Sequence, residues 1–231
     1  MKVDIGVIGA LDEEVRGLIG MLDGYVSEFV GGIEFHTGSL LGKRVAVARC
    51  GVGKVFAAMC AEAMIVRYSP SLIINSGVGG ALDRKLSTGD IVIADKLCQH
   101  DMDTSPLGDP KGLISGVNVI FMDADKRAAQ ILMEAGRSLS YNVMSGTVAS
   151  GDRFIASAED KRLITELFAA AACEMEGAAI AQVAFVNKTP FVVVRAISDS
   201  ADGEATMDYM TFLPIAAERS AALTLELIKR Y

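Results

Sequence analysis

The chain has 231 residues, of which 51% are hydrophobic and 22% charged, and this balance excludes an extended disordered protein. Its formal net charge is -7, so a surface that binds nucleic acid or an anionic membrane is not expected. No apolar run approaches the roughly 20 residues that span a bilayer, and the first residues lack the pattern of a signal peptide. We therefore expect a single cytoplasmic domain over residues 1–231.

Short apolar runs rich in Val and Ile alternate with helical patterns along the chain. Strands are predicted at 2–8, 44–48, 71–75, 90–94, 142–149 and 191–197. Helices are predicted at 13–22, 55–67, 125–137, 158–168, 177–186 and 212–229. Because helices between buried strands imply parallel pairing, the sequence predicts an α/β fold: a three-layer sandwich with a mixed, mostly parallel central sheet.

The four cysteines and two histidines give no indication of a metal or a disulfide. Cys50, Cys60, Cys98 and Cys173 are isolated, without a CxxC pair, and are interpreted as buried thiols of a reducing compartment. The HDMD stretch at residues 100–103 has ligand residue types but no HxH or HExxH spacing. It opens a predicted loop over residues 100–116, and long loops in compact domains are often functional. We expect no metal and no cofactor.

Glycines and polar residues follow several of the predicted strands. Ligands of open α/β sheets bind beyond the carboxyl ends of the strands, so these segments should meet at one site. In chain order they are GALDEE, CGVGK, SGVGG, SGDRFI, CEMEG and RAISDSAD. The two glycine stretches CGVGK and SGVGG are interpreted as tight turns, because neither matches a phosphate loop or a dinucleotide fingerprint. Lys54 of the first is consistent with an ordinary solvated side chain.

Each of the polar segments also has an ordinary structural explanation. Asp199, and Asp202 after it, can donate a proton to a ligand or can cap the next helix or turn. Glu174 and Glu176 can bind the hydroxyls of a sugar or can simply favour a helix N-terminus. Their apolar surroundings make burial without partners costly. Phe154 can stack on a flat base or can belong to the core.

Taken together and in this order, GALDEE, INSGVGG, SGDRFI, CEMEG and FVVVRAISDSAD resemble the nucleoside phosphorylase/hydrolase superfamily. Within it the chain is similar to the bacterial 5'-methylthioadenosine/S-adenosylhomocysteine nucleosidases, over nearly its whole length. The resemblance implies a nucleoside phosphorylase-like sandwich that hydrolyses the N-glycosidic bond of an adenine nucleoside and releases adenine. It also implies a homodimer without metal or cofactor, and we expect the 100–116 loop to take part in the dimer contact.

The resemblance also implies roles for individual residues. Asp199 corresponds to the general acid that protonates adenine N7, with Ser198 orienting its carboxyl. Glu14 corresponds to the residue that activates the attacking water. Arg195 corresponds to an arginine that helps to hold the water and Glu176.

Further residues correspond to the substrate-binding positions of the family. Glu176 would bind the ribose hydroxyls, with Met175 packed below the sugar. Phe154 would stack on adenine, while the backbone of Ile155 reads the edge of the base. Tyr209 falls where the family has an aromatic residue near the ribose and the 5' group.

Two segments depart from the pattern of the family. Val78 and Gly79 lie in the glycine stretch of the site, and Val78 stands where relatives often have serine, so the backbone must replace a side-chain hydrogen bond. Leu107 and Asp109 replace the aromatic residues by which relatives reach into the 5' pocket of the partner subunit. The second departure leaves open the identity of the 5' substituent.

The three acids Asp12, Glu13 and Glu14 favour hydrolysis over phosphorolysis. A phosphate dianion a few Å from a carboxylate is repelled by about 1 kcal/mol in water and by more in a buried site. A water molecule is instead helped by a carboxylate that accepts its proton. Three alternatives remain open at this point: a hydrolase of another purine nucleoside such as futalosine, a nucleoside phosphorylase, and a purine-sensing protein without activity.

Overall fold

The computed structural model describes residues 2–201 and 205–231; Asp202 lies outside them. The described strands form one mixed sheet. They are β1 Ile5–Gly9, β2 Asp23–Val30, β3 Ile33–Leu40, β4 Lys43–Arg49, β5 Leu72–Ala81, β6 Ile91–Gln99, β7 Met122–Asp123, β8 Val143–Ser150, β9 Ala170–Glu174 and β10 Phe191–Asp199. The helices are α1 Asp12–Gly20, α2 Lys54–Tyr68, α3 Lys126–Ser138, α4 Ala158–Phe168, α5 Gly177–Val186 and α6 Ala205–Arg230.

The sheet order is β10-β6-β8-β9-β5-β1-β4-β3-β2, and β10 also pairs with β5. The five strands β5, β9, β8, β6 and β10 therefore close into a ring, and the other large strands extend from it as an open sheet. Helices α2 and α5 pack together on one face, while α1 and α3 both pack on α6 on the other. Each face has its own apolar core, so the predicted three-layer α/β sandwich is confirmed.

The central sheet is mixed, as predicted, and its two longest pairings, β5 with β10 and β6 with β8, are parallel. Among the described strands, parallel and antiparallel pairings occur equally often. Part of the antiparallel share is the meander of β2, β3 and β4, of which only β4 was predicted. A tight turn at Gly31 and Gly32, both with positive φ, joins β2 to β3. The outermost strand β2 is largely exposed, so it lacks the apolar run by which buried strands are recognised.

The stretch SGVGG is strand rather than the predicted turn, because β5 continues through it to Ala81. Gly77 pairs in parallel with Arg195 of β10, and Gly80 pairs with Asp199. The register of β10 shifts between Ile197 and Asp199, and such irregularities re-aim side chains next to active sites. Within the described residues, no helix combines the length and the apolar character that a membrane crossing requires.

Candidate active site

One pocket lies where the segments singled out in the sequence meet. It collects side chains from the start of α1, from β5, from the loop after β8, from the β9–α5 junction, from the end of β10 and from α6. The predicted site residues that line it are Glu14, Val78, Gly79, Phe154, Ile155, Met175, Glu176, Ser198, Asp199 and Tyr209. Residues that lie far apart in the sequence therefore form a single cavity, as predicted from the ends of the strands.

The carboxylate of Glu14 is buried at the first turn of α1 and accepts three backbone hydrogen bonds. One oxygen accepts the N–H groups of Ala10 and Leu11 at 2.6 and 3.0 Å, and the other accepts that of Val78 at 3.1 Å. Burial raises the pKa of Glu14, although the charge of Arg195 and these hydrogen bonds oppose the shift. A carboxylate with a raised pKa is a better proton acceptor, which suits a general base near neutral pH.

Only one of the three acids at the start of α1 faces the pocket. Asp12 lies at the surface, where its carboxylate is 3.4 Å from Nε of Arg49, and Glu13 is exposed. Successive residues of a helix point in different directions, so three adjacent acids cannot all reach one site. The interpretation of three pocket carboxylates is therefore corrected to Glu14 alone.

Asp199 is the last residue of β10, and its carboxyl group is held from two sides. Ser198 Oγ donates to one carboxyl oxygen at 2.8 Å, and the N–H of Ala201 donates to the other at 2.9 Å. The side chain is buried yet lines the pocket. Its orientation is thus fixed before a ligand binds, which a proton donor requires.

Two glycines of β5 make room for the two carboxylates just described. A Cβ atom at Gly77 would lie 2.7 Å from a carboxylate oxygen of Glu14, and one at Gly80 would lie 2.8 Å from a carboxylate oxygen of Asp199. Both distances are shorter than a carbon–oxygen contact allows. The glycines therefore serve close approach rather than a turn, which is a known use of glycine inside strands.

Glu176 caps the N-terminus of α5 and accepts the N–H of Gly53 at 2.8 Å. Gly53 has a φ of 101°, which glycine adopts readily, so this part of CGVGK is a turn as predicted. Burial and the neighbouring charge of Glu174 raise the pKa of Glu176 to about 8. Glu176 lines the pocket, where its carboxyl group can meet the hydroxyls of a sugar.

Arg195 does not line the pocket, and its hydrogen bonds among the described residues do not reach Glu176. Its charge still acts on Glu176 and on Glu14, where it opposes the rise in pKa that burial causes, so its part in holding the water stays a prediction. The side chain is buried behind the site, where its guanidinium pairs with Glu174 and hydrogen-bonds Asn75. Glu174 in turn accepts the Ser150 hydroxyl and the backbone N–H of Gly177. Arg195 pairs with Glu174 because each buried charge would be costly without an opposite charge beside it.

From the sequence, Glu174 is a candidate for binding sugar hydroxyls or for favouring a helix N-terminus. Its pairing with Arg195 and Ser150, and the contact of Arg195 with Asn75, were not predicted. Glu174 ends β9, and the charge of Arg195 together with several hydrogen bonds lowers its pKa although burial alone would raise it. A signal was present in the sequence, because an Asn at the end of the apolar run SLIIN and two acids in an apolar segment all need partners.

Aromatic side chains form the outer rim of the pocket. Phe154 is 45% exposed and makes an edge-to-face contact with Tyr209, with ring centroids 5.6 Å apart. Ile155 is buried next to it. A half-exposed aromatic ring at the mouth of a pocket can stack on a flat ligand, so its placement favours ligand contact over the core alternative.

Comparisons with known proteins agree with this geometry. The profile of the phosphorylase superfamily matches residues 4–229. A 5'-methylthioadenosine/S-adenosylhomocysteine nucleosidase of Haemophilus influenzae (strain PittEE) is 39% identical over 230 residues, which cover 98% of this chain and 99% of the relative. The corresponding nucleosidase of Shewanella loihica is 37% identical, with 97% and 98% covered.

Solved structures of such proteins superpose closely on the chain. The nucleosidase of Neisseria meningitidis in complex with methylthio-immucillin-A has a TM-score of 0.95 at 34% identity, with 99% of both chains covered. A futalosine hydrolase of Helicobacter pylori has a TM-score of 0.94 at 33% identity, with 99% of this chain and 98% of that chain covered. The chain therefore belongs to the phosphorylase superfamily and, within it, to the family of the 5'-methylthioadenosine/S-adenosylhomocysteine nucleosidases.

Proposed function

We propose that this chain hydrolyses the N-glycosidic bond of 5'-methylthioadenosine and S-adenosylhomocysteine, with Asp199 as the general acid and Glu14 as the general base. The observation that carries the assignment is that two buried carboxyl groups, each held by fixed hydrogen bonds, line one pocket together with Glu176. The nucleosidase relatives and their complex with a transition-state analogue support the substrate class.

In the proposed reaction, water attacks C1' of the ribose as the C1'–N9 bond breaks and its electrons move into adenine. Asp199 donates a proton to N7, so that adenine leaves as a neutral base. Glu14 accepts a proton from the water. The positive charge that develops on the ribose is stabilised by the carboxylate of Glu14, as carboxylates do in glycosidases. Glu176 accepts hydrogen bonds from the ribose hydroxyls, and Met175 packs against the sugar.

The direct test is adenine release from 5'-methylthioadenosine with and without phosphate, followed by chromatography. We expect equal release in both cases, with free methylthioribose as the second product. Glu14 presents a buried carboxylate to the nucleophile, and a carboxylate repels phosphate but assists water. Release that depends on phosphate would make the chain a phosphorylase, and tight adenine binding without turnover would make it a purine-binding protein.

A second candidate substrate is futalosine. The observation in its favour is the close superposition on the futalosine hydrolase of H. pylori. Leu107 is exposed in the loop that the family resemblance associates with the 5' group, so a substrate with a different 5' group is the alternative to test. Comparing kcat/KM for futalosine and for 5'-methylthioadenosine distinguishes the two activities.

The homodimer remains a prediction, which sedimentation would reject by detecting a monomer.

Replacing Glu14 with glutamine is expected to lower kcat by about 10²-fold or more, because the amide cannot accept the proton of the water. The amide oxygen can accept the N–H groups of Ala10 and Leu11 or that of Val78, but not all three, so the fold of the variant has to be checked alongside its activity. The measurement is kcat with 5'-methylthioadenosine, with adenine affinity as the control for an intact pocket. Full activity in this variant would require a different base.

The contribution of Glu176 to the stability of the empty protein is expected to fall as the pH rises from about 5 to about 8. The folded pKa of Glu176, about 8, lies above its unfolded value of 4.5, so the folded state holds the proton through this window. That contribution is complete below the unfolded pKa and disappears as the pH passes the folded pKa. Glu14 shifts in the same direction.

Thermal unfolding at several pH values checks this prediction. Glu176→Gln should show a smaller fall in Tm between these pH values than the unmodified protein, because glutamine does not titrate. Glu28→Gln is the matched control. The hydrogen bond from Arg67 lowers the pKa of Glu28, so this group changes stability only below about pH 5. Equal pH profiles for Glu176→Gln and the unmodified protein would contradict the prediction.

A further inference from the structure

Three segments outside the pocket meet in a closed set of hydrogen bonds. They are the turn before α2 with Lys54, the residues after β6 with Asp101, and the loop after β8 with Asp152. Lys54 Nζ lies 2.6 Å from one carboxylate oxygen of Asp101, and the other oxygen accepts the N–H of Asp152 at 2.9 Å. The side chain of Asp152 accepts the N–H of Lys54 at 2.7 Å, which closes the ring. Lys54 is thus not the solvated side chain considered from the sequence.

We propose that Lys54, Asp101 and Asp152 act as a positioning ring that couples recognition of the base to recognition of the sugar. The inference rests on the proposed function. It adds three residues that do not line the pocket but fix the segments that do. Two of the three segments lead directly into the pocket. The third residue, Asp101, joins them and reaches the pocket only through its partners.

The first connection runs to the carboxylate proposed to bind the ribose. Gly53 precedes Lys54, and its N–H donates to Glu176 at 2.8 Å. A Cβ atom at Gly53 would lie 3.1 Å from a carboxylate oxygen of Asp152, so the turn and the ring are packed tightly. A displacement of Lys54 therefore moves the donor that orients Glu176.

The second connection runs to the loop proposed to bind adenine. Asp152 lies two residues before Phe154 and three before Ile155. The loop has no regular secondary structure there, so hydrogen bonds rather than a helix or sheet fix its course. Asp101 supplies one of them through the N–H of Asp152. Loss of that bond frees the start of the segment that carries the base contacts.

A third connection braces the ring against the helix that Glu176 caps. Lys54 Nζ also donates to the side-chain oxygen of Gln99 at 3.0 Å. The amide group of Gln99 in turn donates to Gln182 of α5 at 2.6 Å. The ring is therefore fixed to β6 and to α5, which is what a positioning element needs.

The charged side chains of Lys54 and Asp101 are mostly shielded from solvent, which strengthens the hydrogen bonds between them. The side chains of Lys54 and Asp101 are 19% and 23% exposed. Burial tends to raise the pKa of Asp101, but the hydrogen bonds from Lys54 and from the Asp152 N–H outweigh it and lower the pKa. Asp101 is thus ionised at neutral pH, and charge-assisted hydrogen bonds of this kind are stronger than neutral ones.

The test compares Asp101→Asn and Lys54→Met with the unmodified protein. A misplacement of about 1 Å in a binding group can cost up to 10²-fold. We expect each variant to raise KM for 5'-methylthioadenosine about tenfold and to weaken adenine binding in calorimetry, with a smaller change in kcat. Lys54→Arg, which keeps the charge, should restore much of the loss.

A double variant separates positioning from general stabilisation. If the ring acts as a unit, Lys54→Met with Asp101→Asn should raise KM no further than either change alone. The matched control is Glu28→Gln at the remote edge strand β2, where Arg67 at 3.0 Å and Tyr68 at 2.8 Å also hold a carboxylate. It should leave KM and kcat unchanged.

Two outcomes would overturn the proposal: a lower Tm with unchanged KM and adenine affinity, or additive effects of the two single changes on KM. Failure of the unmodified protein to release adenine would instead count against the proposed function. Because adenine affinity is measured separately from turnover, the two failures remain distinguishable.

Discussion

Asp199→Asn is expected to lower kcat for 5'-methylthioadenosine by about 10²-fold or more while the protein stays folded. Asparagine has nearly the same shape, and its oxygen can still accept one of the two hydrogen bonds that Ser198 and the Ala201 N–H donate. It cannot transfer a proton to N7. The adenine would then have to leave as an anion, which is the step that the carboxyl group is proposed to assist.

The assignment is sharpened by a substrate whose leaving group needs no proton. With a 4-nitrophenyl riboside, Asp199→Asn should lose far less activity than with 5'-methylthioadenosine, because nitrophenolate leaves unaided. Glu14→Gln should lose activity with both substrates, since both need an activated water. Equal losses of Asp199→Asn on the two substrates, or full activity on the nucleoside, would remove Asp199 from the role of general acid.

Glu174→Gln is expected to cost about 3–5 kcal/mol of folding free energy. Glu174 and Arg195 are both almost fully buried, and the change leaves the guanidinium charge without its partner. It also weakens the hydrogen bonds from Ser150 and from the Gly177 N–H that hold the β9–α5 junction. Chemical denaturation of the empty protein measures the loss.

The control is an ion pair of similar chemistry at the surface. Arg162 and Glu166 pair across one turn of α4 at 2.9 Å, with both side chains more than half exposed. Glu166→Gln should change stability little, because solvent screens exposed pairs. Replacing both buried partners, as in Glu174→Gln with Arg195→Met, should recover part of the loss. A Glu174→Gln protein as stable as Glu166→Gln would show that the buried pair is not needed.

The elements that could be predicted are those whose burial requires a recognisable run or spacing of apolar residues in the sequence. The runs at 2–8 and 191–197 are buried strands because Val and Ile there face helices on both sides. The strand β9 was missed because AAACE is rich in alanine, which does not favour strands, and its pairing with β5 and β8 is decided by tertiary contact. The strand β2 was missed because it is exposed.

The site was predictable where a motif directly follows a strand or starts a helix. Glu14, Glu176 and Asp199 come together as expected because the ends of several strands meet at one place. The partners of Arg195, and the contacts of Lys54 with Asp101, were not predictable. They join residues whose separation along the chain carries no period or motif, so only the folded chain brings them into contact.

The two glycines that approach the carboxylates belong to a single strand, three positions apart. At about 3.3 Å per residue, this places the two supports roughly 10 Å from each other along β5. One rigid strand thus lies against both of the carboxyl groups that are proposed as proton donor and proton acceptor. Tyr209, which is proposed to lie near the 5' group, belongs to α6 and can vary without altering that strand. Substrate preference can therefore diverge among related chains while the strand that supports both carboxyl groups stays the same.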